Sequence, residues 1–313
     1  MDTPTAGQLA HSTLVQQHPA TADWLSRGRR LRLLALEHEP DVRMTTDLEF
    51  AAMRRDRFGP ELPTEFFLNS WEPVGDGLWA MLSARWEGGD PARPFVDASA
   101  LSREITDVAE VRLLGSAAAR RFGAIRPCYL RFWGRQPPGA FPETLPDKRF
   151  LAAPIRDLVD ADVPAGLVLR VTDDLSHYQD ACVAYAAVDH VHPEHPGQAA
   201  VSSAEDLDEL RRAGTLYDIS SDGRWSGYIG AERGHKLGLD GFKISELILT
   251  ESARGQGLGP SLTTLLARAL ADRGEPEQAV IIGTIHHDNR GARQAAERAG
   301  RIDVGGWVRE LIS

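Results

Sequence analysis

One stretch constrains this chain more than any other: Ile244 to Leu270, ISELILTESARGQGLGPSLTTLLARAL. Ile244, Leu247, Ile248 and Leu249 form an apolar run of strand length, which predicts a buried strand. Arg254-Gly255-Gln256-Gly257-Leu258-Gly259 then places three glycines within five positions. Pro260 follows where a helix begins, since its fixed φ suits a first turn and its missing N–H is no loss there. Leu262, Leu265, Leu266, Ala269 and Leu270 recur at helical spacing and give that helix an apolar face.

A glycine-bearing turn between strand and helix admits positive φ and lets a ligand approach the main chain with no Cβ in the way. Its N–H groups then point outward together at the positive end of the helix dipole, an arrangement suited to a diphosphate. A Walker loop is excluded, because no Gly-Lys-Ser/Thr follows. A dinucleotide fold fits poorly, since no acidic residue ends a second strand about twenty residues on. A tight turn that holds no ligand stays open at this point.

The surroundings narrow the choice. Arg254-x-x-Gly257-x-Gly259 after a strand resembles the acyl-coenzyme A signature of the GNAT N-acetyltransferase superfamily. A second strand, Ala279 to Ile285, is predicted beyond a Gly274-Glu275-Pro276 turn. Asn289, Ala292 and Gly300 stand at the spacing of that superfamily's second motif, and β-like pieces around Val304 and Trp307–Leu311 match its last strands. Upstream, Thr215–Ile219 and Trp225–Glu232 flank Ser220-Ser221-Asp222-Gly223, whose Asp-Gly signals a hairpin. The resemblance covers roughly residues 165 to 313 and implies an α/β fold (a mixed α+β sheet), with a GNAT acyltransferase domain at the C-terminus.

What the resemblance implies chemically can be carried over residue by residue. Acyl-coenzyme A, acetyl-coenzyme A in the simplest case, would rest its pyrophosphate on the amides of Gly255, Gln256, Gly257, Leu258 and Gly259, with Arg254 adding charge. Its pantetheine arm would pair with the backbone of Leu247, Ile248 and Leu249 and meet Asn289. A primary amine of a small molecule would attack the thioester directly. An alkylammonium of pKa ~10 must first lose a proton. Glu246 is the proposed base, the Leu249 N–H the oxyanion donor, and His287 or Tyr228 a proton carrier. Ala296 stands where many members carry a tyrosine that protonates the leaving thiolate, so the acid is left without an owner. Lys243 stands roughly where some members place a basic glutamate. Two other classes stay open: a non-catalytic acyl-coenzyme A sensor or scaffold, and a transferase fed by aminoacyl-tRNA or a carrier protein.

At 313 residues the chain is comfortable for two domains. The net charge of −10 is uneven: residues 1–160 hold 20 Lys/Arg against 22 Asp/Glu, and residues 161–313 hold 15 against 23. An acidic second half argues against non-specific nucleic-acid binding and suits a cationic amine. No 18-residue apolar span suggests a membrane helix, and the first residues lack a signal-peptide core, so a cytoplasmic protein is expected. Cys128 and Cys182 form neither a disulfide framework nor a metal cluster. His190, His192 and His195 invite a zinc reading, but no known ligand spacing is completed, so no metal is assigned.

The first half is less legible. Leu31–Leu36 reads as a strand, a helix runs through Phe50, Met53 and Phe58 to the Gly59-Pro60 stop, and Phe66–Trp71, Leu78–Trp86 and Tyr129–Trp133 read as strands. Ala100–Phe122 is either a strand near Val108–Leu114 followed by a helix, or one longer helix. In the second half Leu167–Val171 opens a new sheet, a helix runs from Thr172 or Asp173 through Tyr185, and Ser203 caps another. Asp76-Gly77-x-Trp79 echoes Asp222-Gly223-x-Trp225. That echo suggests a tandem: an N-terminal α/β domain over 1–160, GNAT-like but without its coenzyme site, and the acyl-coenzyme A domain over 161–313. The rival is an unrelated α/β domain that supports the second one.

Overall fold

The computed structural model describes residues 2–191 and 201–312. The chain divides into two compact units. The first is Met1–Arg149 with Lys236–Gly238 and Val304–Ser313; the second is Phe150–His235 with Leu239–Asp303. This differs from an uninterrupted division at 160. Residues 150–160 fall in the second unit, while a hairpin tip and the last strand return to the first.

The first unit opens with three helices, α1 (Ala6–Val15), α2 (Arg27–Arg43) and α3 (Leu48–Phe58). The strand expected at Leu31–Leu36 is part of α2. Its leucines alternate locally, yet the buried side chains are Arg30, Leu34 and His38, one helical turn apart. The helix expected through Phe58 is α3, capped by Asp47, whose Oδ1 accepts from the Phe50 N–H at 2.9 Å. Four strands follow, β1 (Ser70–Gly75), β2 (Leu78–Trp86), β3 (Pro94–Leu101) and β4 (Tyr129–Gly134), with α4 (Val108–Phe122) between the last two. Phe66 and Phe67 lie in a 3-10 turn before β1, not in a strand.

Val108–Leu114 is helical, because Val111, Leu114, Ala118 and Phe122 recur at the helical period and all are buried against the sheet. Burial of a side chain such as Leu114 contributes about 1.5–3 kcal/mol. The position assigned to Val108–Leu114 by the tandem register belongs instead to β3, and the turn sought at Arg120–Gly123 is the end of α4. The strand order is β1-β2-β3-β4, completed by β11 (Ile302–Leu311). β1 and β2 are antiparallel to their successors, β3 and β4 are parallel, and β11 runs antiparallel to β4 from Gly306↔Gly134 to Leu311↔Tyr129. The two β-like pieces read at the C-terminus are thus one strand.

The second unit contains β6 (Leu167–Val171), α5 (Tyr178–Val191), α6 (Ala204–Arg212), β7 (Leu216–Ser221), β8 (Arg224–Lys236), β9 (Leu239–Leu249), α7 (Gly259–Asp272), β10 (Val280–His286) and α8 (Arg290–Arg298). With β5 (Leu145–Pro154), which begins just before the unit does, its strand order is β5-β10-β9-β8-β7-β6. β6, β7 and β8 are antiparallel in sequence, while β9 and β10 are parallel. Parallel neighbours need a crossover, and α7 supplies it. Leu262, Leu266 and Leu270 of α7 pack on Ile219, Ile229, Phe242 and Ile281.

Both units therefore run hairpin, third strand, helix, parallel strand. The two Asp-Gly turns agree in detail: φ is 47° and 75° at Asp76 and Gly77, and 49° and 76° at Asp222 and Gly223. Positive φ at both central residues is the type I′ geometry that matches strand twist. This is the mixed-sheet α/β tandem that the echo suggested. Among the described residues, no helix is long and apolar enough to cross a membrane.

A chain truncated after Asp303 loses β11 and leaves β4 without its antiparallel partner. Amide hydrogen exchange in Tyr129–Gly134 is expected to accelerate at least tenfold, with α7 and β10 unaffected. Full protection of β4 in the truncated chain would show that the pairing contributes little.

Candidate functional site

β9 and β10 pair in register from Gly241↔Val280 to Ile244↔Gly283. Both strands continue beyond that point, β9 to Leu249 and β10 to His286, while their ladder does not. The opening thus leaves strand backbone at Glu246–Leu249 facing a gap. A second irregularity coincides with it. Phe242 and Ile244 face the α7 side of the sheet, and so do Leu247 and Leu249, while Ile248 packs on the opposite side with α5 and α6. The two-residue alternation slips by one between Ile244 and Leu247. A slip of this kind re-aims side chains next to a gap, and it turns Glu246 to the Ile248 side.

The turn after β9 leads to the N-terminus of α7. Gly255 and Gly257 have φ of 72° and 74°, and a Cβ built on either meets nothing within 4 Å. Leu258 is the N-cap residue and supplies no side-chain hydrogen bond, and no acidic residue lies in the first turn. The positive end of this helix is therefore open. The equivalent end of α4 is filled by the protein itself. Asp107 Oδ1 accepts from the Glu110 N–H at 2.9 Å, and Glu110 Oε2 accepts from the Thr106 N–H at 2.8 Å. A hydrogen bond from Arg103 holds the Glu110 carboxyl below its usual range. Carboxylates there occupy the place an anion would take.

The third glycine has a different duty. A Cβ on Gly259 would stand 2.7 Å from the Ala295 Cβ, so Gly259 allows α8 to approach α7. Arg254 turns away from the glycines: its Nη2 donates to the Ala184 carbonyl of α5 at 2.5 Å, and burial lowers its pKa. Gln256 is exposed and donates from Nε2 to the Ser252 carbonyl at 2.6 Å. Asn289 caps α8, its Oδ1 accepting from the Ala292 N–H at 3.0 Å, which leaves its amide nitrogen for a ligand. Leu258 is buried in the α7 core.

Glu246 is 2% exposed. Its carboxylate accepts from the Tyr185 hydroxyl of α5 and, at 3.0 Å, from the Ser202 N–H. Burial, then the adjacent carboxylate, drives the Tyr185 pKa far upward, so this phenol holds its proton and steadies the anion. The sequence reading placed Tyr185 on a helix without assigning it a role. No spacing rule joins residues 61 apart, and only the packing of α5 on β9 does so.

Tyr228 lies in the core between α5, α6 and β9 at 0% exposure, without a hydrogen bond of ordinary geometry. Burial raises its pKa to about 12. In this position it does not donate a proton readily near neutrality. At the end of β10, Asp288 lies 2.5 Å from His287 Nε2 and 3.7 Å from His286 Nδ1, and His287 Nδ1 is buried without a partner. The ligand-type atoms of these three residues lie within 4.8 Å of one another, which the histidine–aspartate pairing accounts for. Ala296 is fully buried in α8, so a tyrosine would not fit there without repacking. Arg301 is buried, its Nη1 within 2.4 Å of where a Gly283 Cβ would stand, and burial lowers its pKa to about 10. It keeps a positive charge under the place where the strands part. His192 and His195 lie outside the described residues; His190 is exposed on α5.

No family model and no curated protein matches the chain. Among solved structures, it is similar to a GCN5-related N-acetyltransferase from Sphaerobacter thermophilus, at 15% identity over 95% of each chain, with a TM-score of 0.48. It is also similar to a GNAT-family acetyltransferase from Colwellia psychrerythraea, at 10% identity over 75% of this chain and 86% of that one, TM-score 0.46. A tandem GNAT protein from the clavulanic acid biosynthesis pathway matches at 15% identity over 86% of this chain and 97% of its own, TM-score 0.41. These likenesses are distant, and the fold described above rests on the chain's own strand order and pairing.

Glu246→Ala is expected to destabilise the protein by about 1–3 kcal/mol, because it leaves the Tyr185 hydroxyl and the Ser202 N–H without an acceptor. Adding Tyr185→Phe should recover part of that loss in chemical denaturation. Tyr228 supplies a pH signature. Its folded pKa of about 12 exceeds the unfolded value of ~10, so its contribution is complete below pH ~10 and is lost as pH climbs toward about 12. Tyr228→Phe should flatten the alkaline fall in stability over that window; an unchanged pH profile would refute the assignment.

Proposed function

We propose that this protein is an N-acyltransferase that moves an acetyl or other short acyl group from acyl-coenzyme A to a primary amine of a small molecule. The observation that carries the proposal is the pairing of β9 and β10, which stops at Ile244 and Gly283 just below an open, uncapped helix N-terminus. Strand backbone left unpaired in a gap suits an extended amide-bearing arm, since main-chain groups need partners. The turn at Gly255–Gly257 suits a diphosphate, because two positive-φ glycines leave its amides uncovered.

Coenzyme A would supply an acyl group activated as a thioester. The residues of the chain would do the rest. The amides of Gly255–Gly259 would bind the diphosphate, and Leu247–Leu249 would align the arm, with Asn289 Nδ2 as a further donor. Arg254 would act by holding α5 to the turn through Ala184. The Leu249 N–H would steady the thioester oxygen. Glu246, buried and negative, would take the amine's proton through water, with Tyr185 and Ser202 fixing its orientation. His287, paired with Asp288, is the nearest alternative carrier on the neighbouring strand. The acidic second half, 15 basic against 23 acidic residues over 161–313, would favour a cationic acceptor.

A second reading is a non-catalytic acyl-coenzyme A binder. The buried Ala296 and the high pKa of Tyr228 favour it, because neither position offers a ready acid. Coenzyme A thiolate leaves well on its own, with a thiol pKa near the ~8.5 of cysteine, so an acid is dispensable.

A coenzyme A release assay against a panel of small amines decides between the two readings. Turnover above background is expected with at least one amine, and Glu246→Gln should lower kcat by about 10²–10⁴-fold while leaving acyl-coenzyme A affinity intact. Gly257→Trp should abolish that affinity by filling the cradle at a position with φ of 74°. Undiminished acetyl-coenzyme A binding by Gly257→Trp would remove the proposed site.

A further inference from the structure

The parting of strands in the second unit has a counterpart in the first. β3 and β4 pair from Val96↔Leu130 to Ala98↔Phe132, and both strands run on beyond that ladder, β3 to Leu101 and β4 to Gly134. A pocket of about 210 Å³ lies at this fork, beside α1 and α2. Ala98–Leu101 and Trp133 line it, and Lys236 and Trp307, which belong to the same unit, complete the wall. The proposed transfer reaction does not use this space. The helix end that follows β3 is capped by Asp107 and Glu110, so a diphosphate finds no seat beside it. At roughly 30 Å³ per water, the space equals about seven waters, enough for one substituted aromatic ring.

The charges around the pocket are engaged, with one exception. Asp97 accepts from Arg131 Nε and Nη2 at 3.0 and 3.1 Å. Asp41 accepts from Arg85 at 2.9 Å and from Asn69. Both oxygens of Glu37 accept main-chain N–H groups, from Leu237 and Gly238, at 3.0 and 2.9 Å. His38 is bonded to the Thr13 hydroxyl at 2.8 Å. Burial lowers the His38 pKa, Asp41 and Glu37 raise it, and the Lys236 charge lowers it again, so the ammonium stands close enough to be felt inside the pocket. Lys236 is the exception: it is exposed, and among the described residues it has no hydrogen-bond or ion-pair partner. Beside it, Trp133 and Trp307 stand part-exposed, 5.6 Å apart and perpendicular.

We infer that the fork of the first unit is a binding site for a small aromatic carboxylate, its ring against Trp133 and Trp307 and its carboxylate on the Lys236 ammonium. Indole rings next to one unpaired cation suit a flat apolar body that ends in a single negative charge. A cationic ligand would find each carboxylate already engaged by an arginine or by main-chain N–H groups, and would meet Lys236 as a like charge. A phosphate dianion would bring a second negative charge close to Asp97, Asp41 and Glu37.

The test uses the full chain in isothermal titration, with benzoate and indole-3-carboxylate as probes and benzylamine as the control of opposite charge. At least one of the two acids is expected to bind at sub-millimolar concentration, with benzylamine at least tenfold weaker. Lys236→Met should weaken acid binding at least fivefold and leave the melting temperature unchanged, because this lysine has no partner to lose. Lys236→Arg should restore most of the affinity, since it restores the charge. A crystal structure of the complex should show the ring against Trp133 and Trp307. Acetyl-coenzyme A affinity in the Lys236 variants should match wild type, which separates this pocket from the proposed transferase centre. Failure of both acids to bind, tighter binding of benzylamine, or unchanged acid affinity in Lys236→Met overturns the inference.

Discussion

Two parallel strands that stop pairing before they end create an obligation. Main-chain N–H and C=O groups removed from the ladder must find water or another partner. In the second unit that break falls at Ile244 and Gly283, and much of what surrounds it answers to it. The alternation of β9 slips beside the break, and Glu246 turns into a polar pocket made by Tyr185 and Ser202. Because β9 and β10 are parallel, their connection must cross over as a helix, and that helix presents its N-terminus at the same end as the gap. One topological choice therefore brings together unpaired strand backbone, a helix dipole and a buried carboxylate.

The first unit shows what happens when the same frame is given other residues. It has the same hairpin, third strand, helix and parallel strand, down to matching turn dihedrals at Asp76-Gly77 and Asp222-Gly223. Yet the N-terminus of α4 is capped by Asp107 and Glu110, where α7 has glycines and no acid. The electrostatic attraction is the same at both helix ends. In one it is spent within the chain, and in the other it stays available. The first unit keeps instead a small pocket beside α1 and α2, lined by charged as well as neutral side chains.

Regions with strong local signals were legible in the sequence. The strand, glycine turn and helix of 244–270, the Asp-Gly hairpins, α3 and β10 all follow from period, caps and turn residues. Leu31–Leu36 misled, because a short run of leucines separated by arginine and alanine satisfies a two-residue period as well as a helical one. β3 was missed because its run Pro94–Leu101 carries Asp97 and Ser99 and opens on a proline, and its arginine partner for Asp97 lies on another strand. Of the site residues, Gly255 and Gly257 stand in the conformation their residue type suggests. Arg254 and Tyr228 do not face where motif logic would send them: one holds a helix in place, and the other fills a core.

The sequence by itself determined the local frame: two hairpins of one type, a turn that only glycine accommodates easily, and a helix end left without a side-chain cap. Those follow from steric limits on φ and from which residues can donate or accept over a few positions. Tertiary structure alone decided which distant groups meet. The pairing of Tyr185 with Glu246, the return of the last strand to β4 and the burial of Gln17 away from any hydrogen-bond partner all depend on elements far apart in the chain. No local rule encodes such contacts, because they are set by how whole faces pack, and burial then decides whether each polar group they enclose is satisfied.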